Sequence, residues 1–174
     1  MFKFFNIVAG AYPVIIMFII IGHFIGTKNP ESLYLFIWLL LMGIINTILK
    51  KGYVGIFGKK VLPFFGKSER PSDAKNCGII PGMKYPSSGM PSGHSQFAAF
   101  FSIYSILVIN DLPIIDTIKN TFAVILIVIA FWIMYSRLLH KCHTLQQVIF
   151  GGLLGCIFGV IAYKLKNDIV RKMM

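Results

Sequence analysis

From about residue 7 to residue 26 the only polar side chains are those of Tyr12 and His23, and an apolar helix of that length crosses roughly 30 Å of hydrocarbon. Comparable apolar runs follow from about Leu33 to Leu49, Ser95 to Ile109, Thr121 to Tyr135 and Leu145 to Tyr163. In lipid only a helix or a closed barrel satisfies its own backbone, and runs this long without alternation read as helices. The expected fold is all-α: a polytopic membrane helix bundle of about five transmembrane helices, forming one domain over residues 1–174. Between the second and third runs lies the longest polar stretch, about residues 52–92. Within it Tyr53-Val-Gly-Ile-Phe57 and Val61-Leu-Pro-Phe-Phe65 are apolar and aromatic, so they read as an interfacial loop or short helix. A cleaved leader would have a shorter apolar region and end at a small-residue cleavage site, so the first run reads as a retained span. His23 near its end reads as a satisfied or interfacial histidine.

A chain of 174 residues that is 56% hydrophobic and 13% charged is not an ordinary soluble domain. Its formal charge of +11 would suit nucleic acid if it formed a stripe, but the charges fall in loops between apolar runs. No nucleic-acid partner is expected; lipid headgroups or phosphates in the bilayer are. Lys50 and Lys51 close the second run as ordinary interface cations would. Gly151, Gly155 and Gly159 recur at four-residue intervals in the fifth, a small-residue face suited to close helix packing. Because the third and fourth runs form a hairpin, the 51–92 and 136–144 loops fall on one side of the membrane. The tail carries Lys164, Lys166, Arg171 and Lys172 against Asp168, so it is expected in the cytoplasm. The two loops then face the lumen, periplasm or exterior.

Two stretches at the starts of apolar runs carry chemistry. In Tyr85-Pro-Ser-Ser-Gly-Met-Pro-Ser-Gly-His-Ser-Gln96, Pro91 stops any preceding helix, Ser92 is a good N-cap and Gly93 lets the backbone approach a ligand as a helix opens at His94. Open N–H groups at such a start attract phosphate, and a histidine in that turn is placed to protonate what leaves it. Ser136-Arg-Leu-Leu-His-Lys-Cys-His-Thr-Leu-Gln-Gln147 adds Arg137 and His143 before another apolar helix.

Arg70-Pro71, then Pro91-Ser-Gly-His94, then Ser136-Arg137 with His143 after five intervening residues resemble the three-part signature of the type 2 phosphatidic acid phosphatase superfamily. Gly89-Met-Pro-Ser-Gly-His-Ser-Gln-Phe97 and His143-Thr-Leu-Gln-Gln147 followed by Gly151-Gly152 are similar to its dolichyl-diphosphatase branch. The resemblance covers roughly residues 46–155. It implies a membrane lipid phosphatase acting on an isoprenoid diphosphate without a metal or other cofactor. It further implies His143 as nucleophile, His94 as general acid, and Arg70, Arg137, a lysine, Ser92 and Gly93 around the phosphoryl oxygens. An undecaprenyl-diphosphate, phosphatidate or phosphatidylglycerophosphate phosphatase is the alternative enzyme. A small scaffold or channel subunit is the non-enzymatic one, and the presence of both histidines argues against it.

Two positions depart from the family pattern. A lysine is expected seven residues before Arg70, where this chain has Pro63. Lys50, in Asn46-Thr-Ile-Leu-Lys50, resembles the family's helix end and takes that role; Lys60 and Lys67 are alternatives. Gln147 stands four residues beyond His143 where most of the superfamily has aspartate; the dolichyl-diphosphatase branch shares the glutamine. It accepts a proton from the imidazole and orients His143, but adds no negative charge. With Thr144 as N-cap, Gln147 also completes a capping box. His140, Cys142, His143 and Cys77 lack paired-cysteine spacing, so no metal site is expected. If the active face is oxidising, a disulfide between Cys77 and Cys142 is open to it, given Cα atoms within about 7 Å.

Overall fold

The computed structural model describes residues 2–58, 61–62, 66–74, 77 and 88–173. Its helices are α1 (Phe2–Thr27), α2 (Pro30–Phe57), α3 (Gly93–Asn110), α4 (Asp116–Leu139) and α5 (Leu145–Met173). A two-stranded antiparallel hairpin, β1 (Val61–Leu62) and β2 (Gly66–Lys67), follows α2, with Val61 opposite Lys67. The bundle is the expected all-helical one. Among the described residues, four helical stretches are long and apolar enough to cross a membrane: Ile7–Thr27, Pro30–Phe57, Asp116–Leu139 and Leu145–Met173. α3 is 18 residues long and opens on Gly93-His-Ser-Gln96, a polar turn that dilutes its hydropathy. It nevertheless lies at the centre, packed along α5 and α4.

Lipid cannot drive helices together by the hydrophobic effect, so close backbone approach has to. The glycine face of α5 provides it. A Cβ on Gly151 would fall on the Ser92 carbonyl oxygen, and one on Gly155 on that of Gln96; at Gly159 it would lie 3.0 Å from the Phe100 carbonyl oxygen. Aromatic rings fill the wider space around α3. Trp38 stacks on Phe100, Phe100 on Tyr104, and the Tyr34 hydroxyl donates to the Ala162 carbonyl at 2.6 Å. His23 is satisfied, its Nδ1 lying 2.7 Å from Ser32 Oγ. At the same end of the bundle Lys166 on α5 pairs with Glu31 on α2.

The stretch after the second apolar run differs from expectation. Lys50 and Lys51 do not end α2, which continues through Tyr53-Val-Gly-Ile-Phe57 to a cap at Gly58, where φ is 56°. The Tyr53 and Phe57 rings meet at 5.0 Å across that last stretch, and the Tyr53 hydroxyl donates to the Gly66 carbonyl. These contacts make the aromatic segment the helix's own end instead of a separate interfacial piece. Val61 and Leu62 enter the hairpin, while residues 63–65, with Lys60 and Tyr85–Ser87 of the first motif, lie outside the described residues.

Candidate active site

The starts of α3 and α5 meet the end of α4 and the later turns of α2, and this is where the predicted residues gather. α3 is capped as its sequence requires: Ser92 Oγ accepts from the Ser95 N–H and hydroxyl, and the Ser92 carbonyl accepts from the Gln96 N–H. The Gly93 and His94 N–H groups are left without a partner among the described residues. Ser92 is fully buried, and its own N–H donates to the Gln147 carbonyl at 3.0 Å, joining the two helix starts.

Gln147 is the hub of the site. Its Oε1 accepts from His143 Nδ1 at 3.0 Å and from the Thr144 N–H at 3.2 Å, while the Thr144 hydroxyl accepts from the Gln147 N–H. The capping box and the orientation of the imidazole coexist. Its Nε2 donates to the Lys67 and Glu69 carbonyls, each at 2.9 Å, bringing the segment after β1 onto the site. Ser68 tightens that segment, its carbonyl accepting from the Gly89 and Met90 N–H groups and its hydroxyl donating to the Gly58 carbonyl.

An amide oxygen can only accept, so His143 carries its proton on Nδ1 and presents a lone pair at Nε2. Arg70 Nη1 donates to that Nε2 at 3.2 Å and to the Cys142 carbonyl at 3.0 Å. Burial, then the Arg70 guanidinium, hold the His143 imidazole well below its ordinary pKa; the Gln147 bond opposes them in part, and the charges of Lys50 and His94 add to the lowering. His143 is therefore a neutral base at neutral pH. Arg137 is almost wholly buried, its Nε donating to Ser136 Oγ at 3.0 Å and its Nη1 to the Cys77 carbonyl at 3.4 Å. Arg137, Arg70 and Lys50 all lie within electrostatic range of His94. The His94 Nε2–H donates to the Gly10 carbonyl on α1 at 2.9 Å.

Of the candidate lysines, Lys50 contributes to the field at His143, whereas the Lys67 side chain is exposed and serves the site through its carbonyl. Cys77 and Cys142 form a disulfide with Cα atoms 5.4 Å apart, so two of the four side chains weighed as metal ligands are bonded to each other.

Sequence reasoning passed over Asn46 and Gln96. Asn46 Nδ2 donates to Gln96 Oε1 at 2.8 Å and to the Pro91 carbonyl at 3.4 Å, and Gly93 packs against its Oδ1. The pair fixes the α3 start from below. Their signal was present: an amide within an apolar run is costly unless it has a structural or functional partner, and Asn46 shares a helix face with Lys50.

The chain matches the PAP2 superfamily over residues 31–171. It belongs to the PAP2 superfamily. Among this PAP2 protein's relatives, Dolichyldiphosphatase 1 of Homo sapiens is 33% identical over 97 residues, covering 51% of this chain and 40% of the relative. Dolichyldiphosphatase 1 of Dictyostelium discoideum is 28% identical over 176 residues, covering 98% of this chain and 67% of the relative. Lipid phosphate phosphatase epsilon 1, chloroplastic, of Arabidopsis thaliana is 25% identical over 84 residues, covering 48% of this chain and 30% of the relative. The alignment with the human protein thus takes in well under half of that protein's length. No solved structure matches the chain.

Proposed function

We propose that this PAP2 protein is a membrane lipid phosphatase that hydrolyses an isoprenoid diphosphate to the monophosphate through a phosphohistidine, with no metal in the cycle. The observation that carries the reading is the His143 ring. Gln147 fixes its proton on Nδ1, and Nε2 faces the Arg70 guanidinium, which a phosphoryl group would engage. In the first step Nε2 attacks phosphorus, the bond to the bridging oxygen breaks, and His94 protonates that oxygen. In the second, water displaces the histidine and returns its proton to His94. Arg70, Arg137 and Lys50, with Ser92 and the Gly93 N–H, neutralise the charge that builds on the phosphoryl oxygens.

The two relatives named Dolichyldiphosphatase 1 favour the isoprenoid diphosphate. A phosphatidate or phosphatidylglycerophosphate phosphatase is the competing enzyme. Rapid quench with label in the terminal phosphate tests the mechanism. His143→Ala should abolish both turnover and the acid-labile phosphoenzyme, and label retained on that variant would remove His143 from its role. A panel of prenyl diphosphates and glycerophospholipids separates the substrates. We further assign the site to the lumenal, periplasmic or exterior face, supported by the basic C-terminal end of α5 and by a disulfide beside the site, which persists in oxidising compartments.

A further inference from the structure

α1 precedes the residues matched to the family, which begin at 31, and nothing in its sequence marks it for chemistry. It nevertheless touches the histidine assigned to the leaving group. The Gly10 carbonyl accepts from His94 Nε2 at 2.9 Å. A backbone carbonyl has two lone pairs, so it can serve its helix and an outside donor together. The local sequence makes the approach feasible. Ala9-Gly10-Ala11 keeps this turn of α1 thin, and Ala9 and Gly10 are buried. Pro13 removes the N–H that would otherwise bond the Ala9 carbonyl, loosening the ladder at this turn. Tyr12 seats the turn, its ring edge-on to Phe97, one turn along α3 from His94, with centroids 6.2 Å apart.

We infer that Gly10 is a positioning residue for the acid–base step, and that α1 belongs to the catalytic apparatus. With Nε2–H committed to the Gly10 carbonyl, Nδ1 is the only His94 atom able to give and take a proton. When the substrate's phosphate charge offsets the Arg137, Arg70 and Lys50 cations around the ring, His94 takes up a proton, and the imidazolium passes its Nδ1 proton to the leaving oxygen as the P–O bond breaks. The neutral ring that remains is the Nε2–H tautomer, still held by Gly10. Its Nδ1 lone pair then accepts a proton from the water that opens the P–N bond, and the imidazolium returns. Without the carbonyl, the proton could settle on either nitrogen and the ring could turn away from the substrate. The inference rests on the phosphatase reading above and adds an element to it.

The test weakens one carbonyl and leaves every side chain in place. Ala11 is replaced by lactic acid in the full-length protein, so that the Gly10 carbonyl becomes an ester and a poorer acceptor; an ester at Ile15, remote from His94 in α1, controls for the lost helix bond. Both are assayed in detergent on phosphatidate, whose glycerol alkoxide leaving group needs a proton, and on farnesyl diphosphate, whose phosphate monoester leaving group departs almost unaided. A positioned general acid is worth about 100-fold or more. The Ala11 ester should therefore lose roughly tenfold or more in kcat on phosphatidate, and less than about twofold on the diphosphate. The Ile15 ester should treat the two substrates alike. Tyr12→Ala, which unseats α1 by a different route, should show the same split. Equal losses on both substrates in the Ala11 ester and Tyr12→Ala, or no loss in either, would overturn the inference. A wild-type protein inactive on both substrates would instead sink the phosphatase reading, and this one with it.

Discussion

The side chain of Gln147 uses both ends of its amide, and an acid could not replace it. Its oxygen takes bonds from His143 and Thr144; its nitrogen gives bonds to the Lys67 and Glu69 carbonyls. A carboxylate would set an acceptor against those two carbonyls, leaving buried groups unmatched at about 1–3 kcal/mol. Gln147→Glu should thus lose roughly 10- to 100-fold in kcat/KM, since each 1.4 kcal/mol is about tenfold. A Glu variant faster than wild type would mean that the ring wants a negative charge more than this scaffold. His143 yields a second expectation. Its pKa is depressed by burial and then by Arg70, so the ring stays neutral, and the acid limb of kcat/KM lies below the ordinary histidine range. Arg70→Ala removes a neighbouring cation. The limb should move to higher pH, on top of a general loss, and a pH–rate profile of the two proteins reads it. At this scale the tautomer and the cap were legible, because both partners lie within four residues of each other. The donor end was not: its acceptors are carbonyls some eighty positions away.

Among the elements, the α3–α5 seam carries the site's geometry, because it joins the helix start bearing His94 to the one that follows His143. Gly155→Ala would push a methyl into the Gln96 carbonyl, which is main chain and cannot rotate aside. Overpacking of this kind costs about 1–3 kcal/mol, and the displacement separates the two histidines. Melting in detergent should show a lowered midpoint, with activity falling further than stability alone explains. Gly22→Ala, with nothing within 4 Å of the added carbon, should leave the midpoint unchanged or slightly raised. The seam was readable from glycine spacing alone. The end of α2 was not: two lysines and Gly52 imitate a terminus, and the contacts of Tyr53 that carry the helix onward reach a hairpin that apolar periodicity does not show.

For the whole molecule, one covalent link joins the two arginine anchors. Cys77 supplies the carbonyl that holds Arg137, and Cys142 the one that holds Arg70. Cys77→Ser with Cys142→Ser should therefore weaken inhibition by inorganic phosphate as well as lower the melting midpoint, since it frees the cations proposed to hold the phosphate. Unchanged phosphate inhibition would separate the link from the site. The proposed orientation is tested by a reporter fused after the last residue, which should remain inaccessible from the extracytoplasmic side. The five-run pattern made the bundle and the shared side of the two loops legible; it had no means of showing that the first helix reaches His94.

The reach of α2 also fixes a depth. From Pro30 to Lys50 the helix rises about 30 Å, the thickness of the hydrocarbon layer. With Pro30 at one edge of that layer, the Lys50 ammonium would stand at the other, level with the headgroups, where a lipid diphosphate floats. A water-borne phosphatase would have to lift its substrate out of the bilayer at about 0.8 kcal/mol for each CH₂ exposed. On the proposed reading the lipid tail keeps its own solvent through the whole cycle. Isoprene units beyond those lying against the helices then add nothing to the barrier, and a short and a long prenyl diphosphate presented in the same bilayer should be hydrolysed at matching rates.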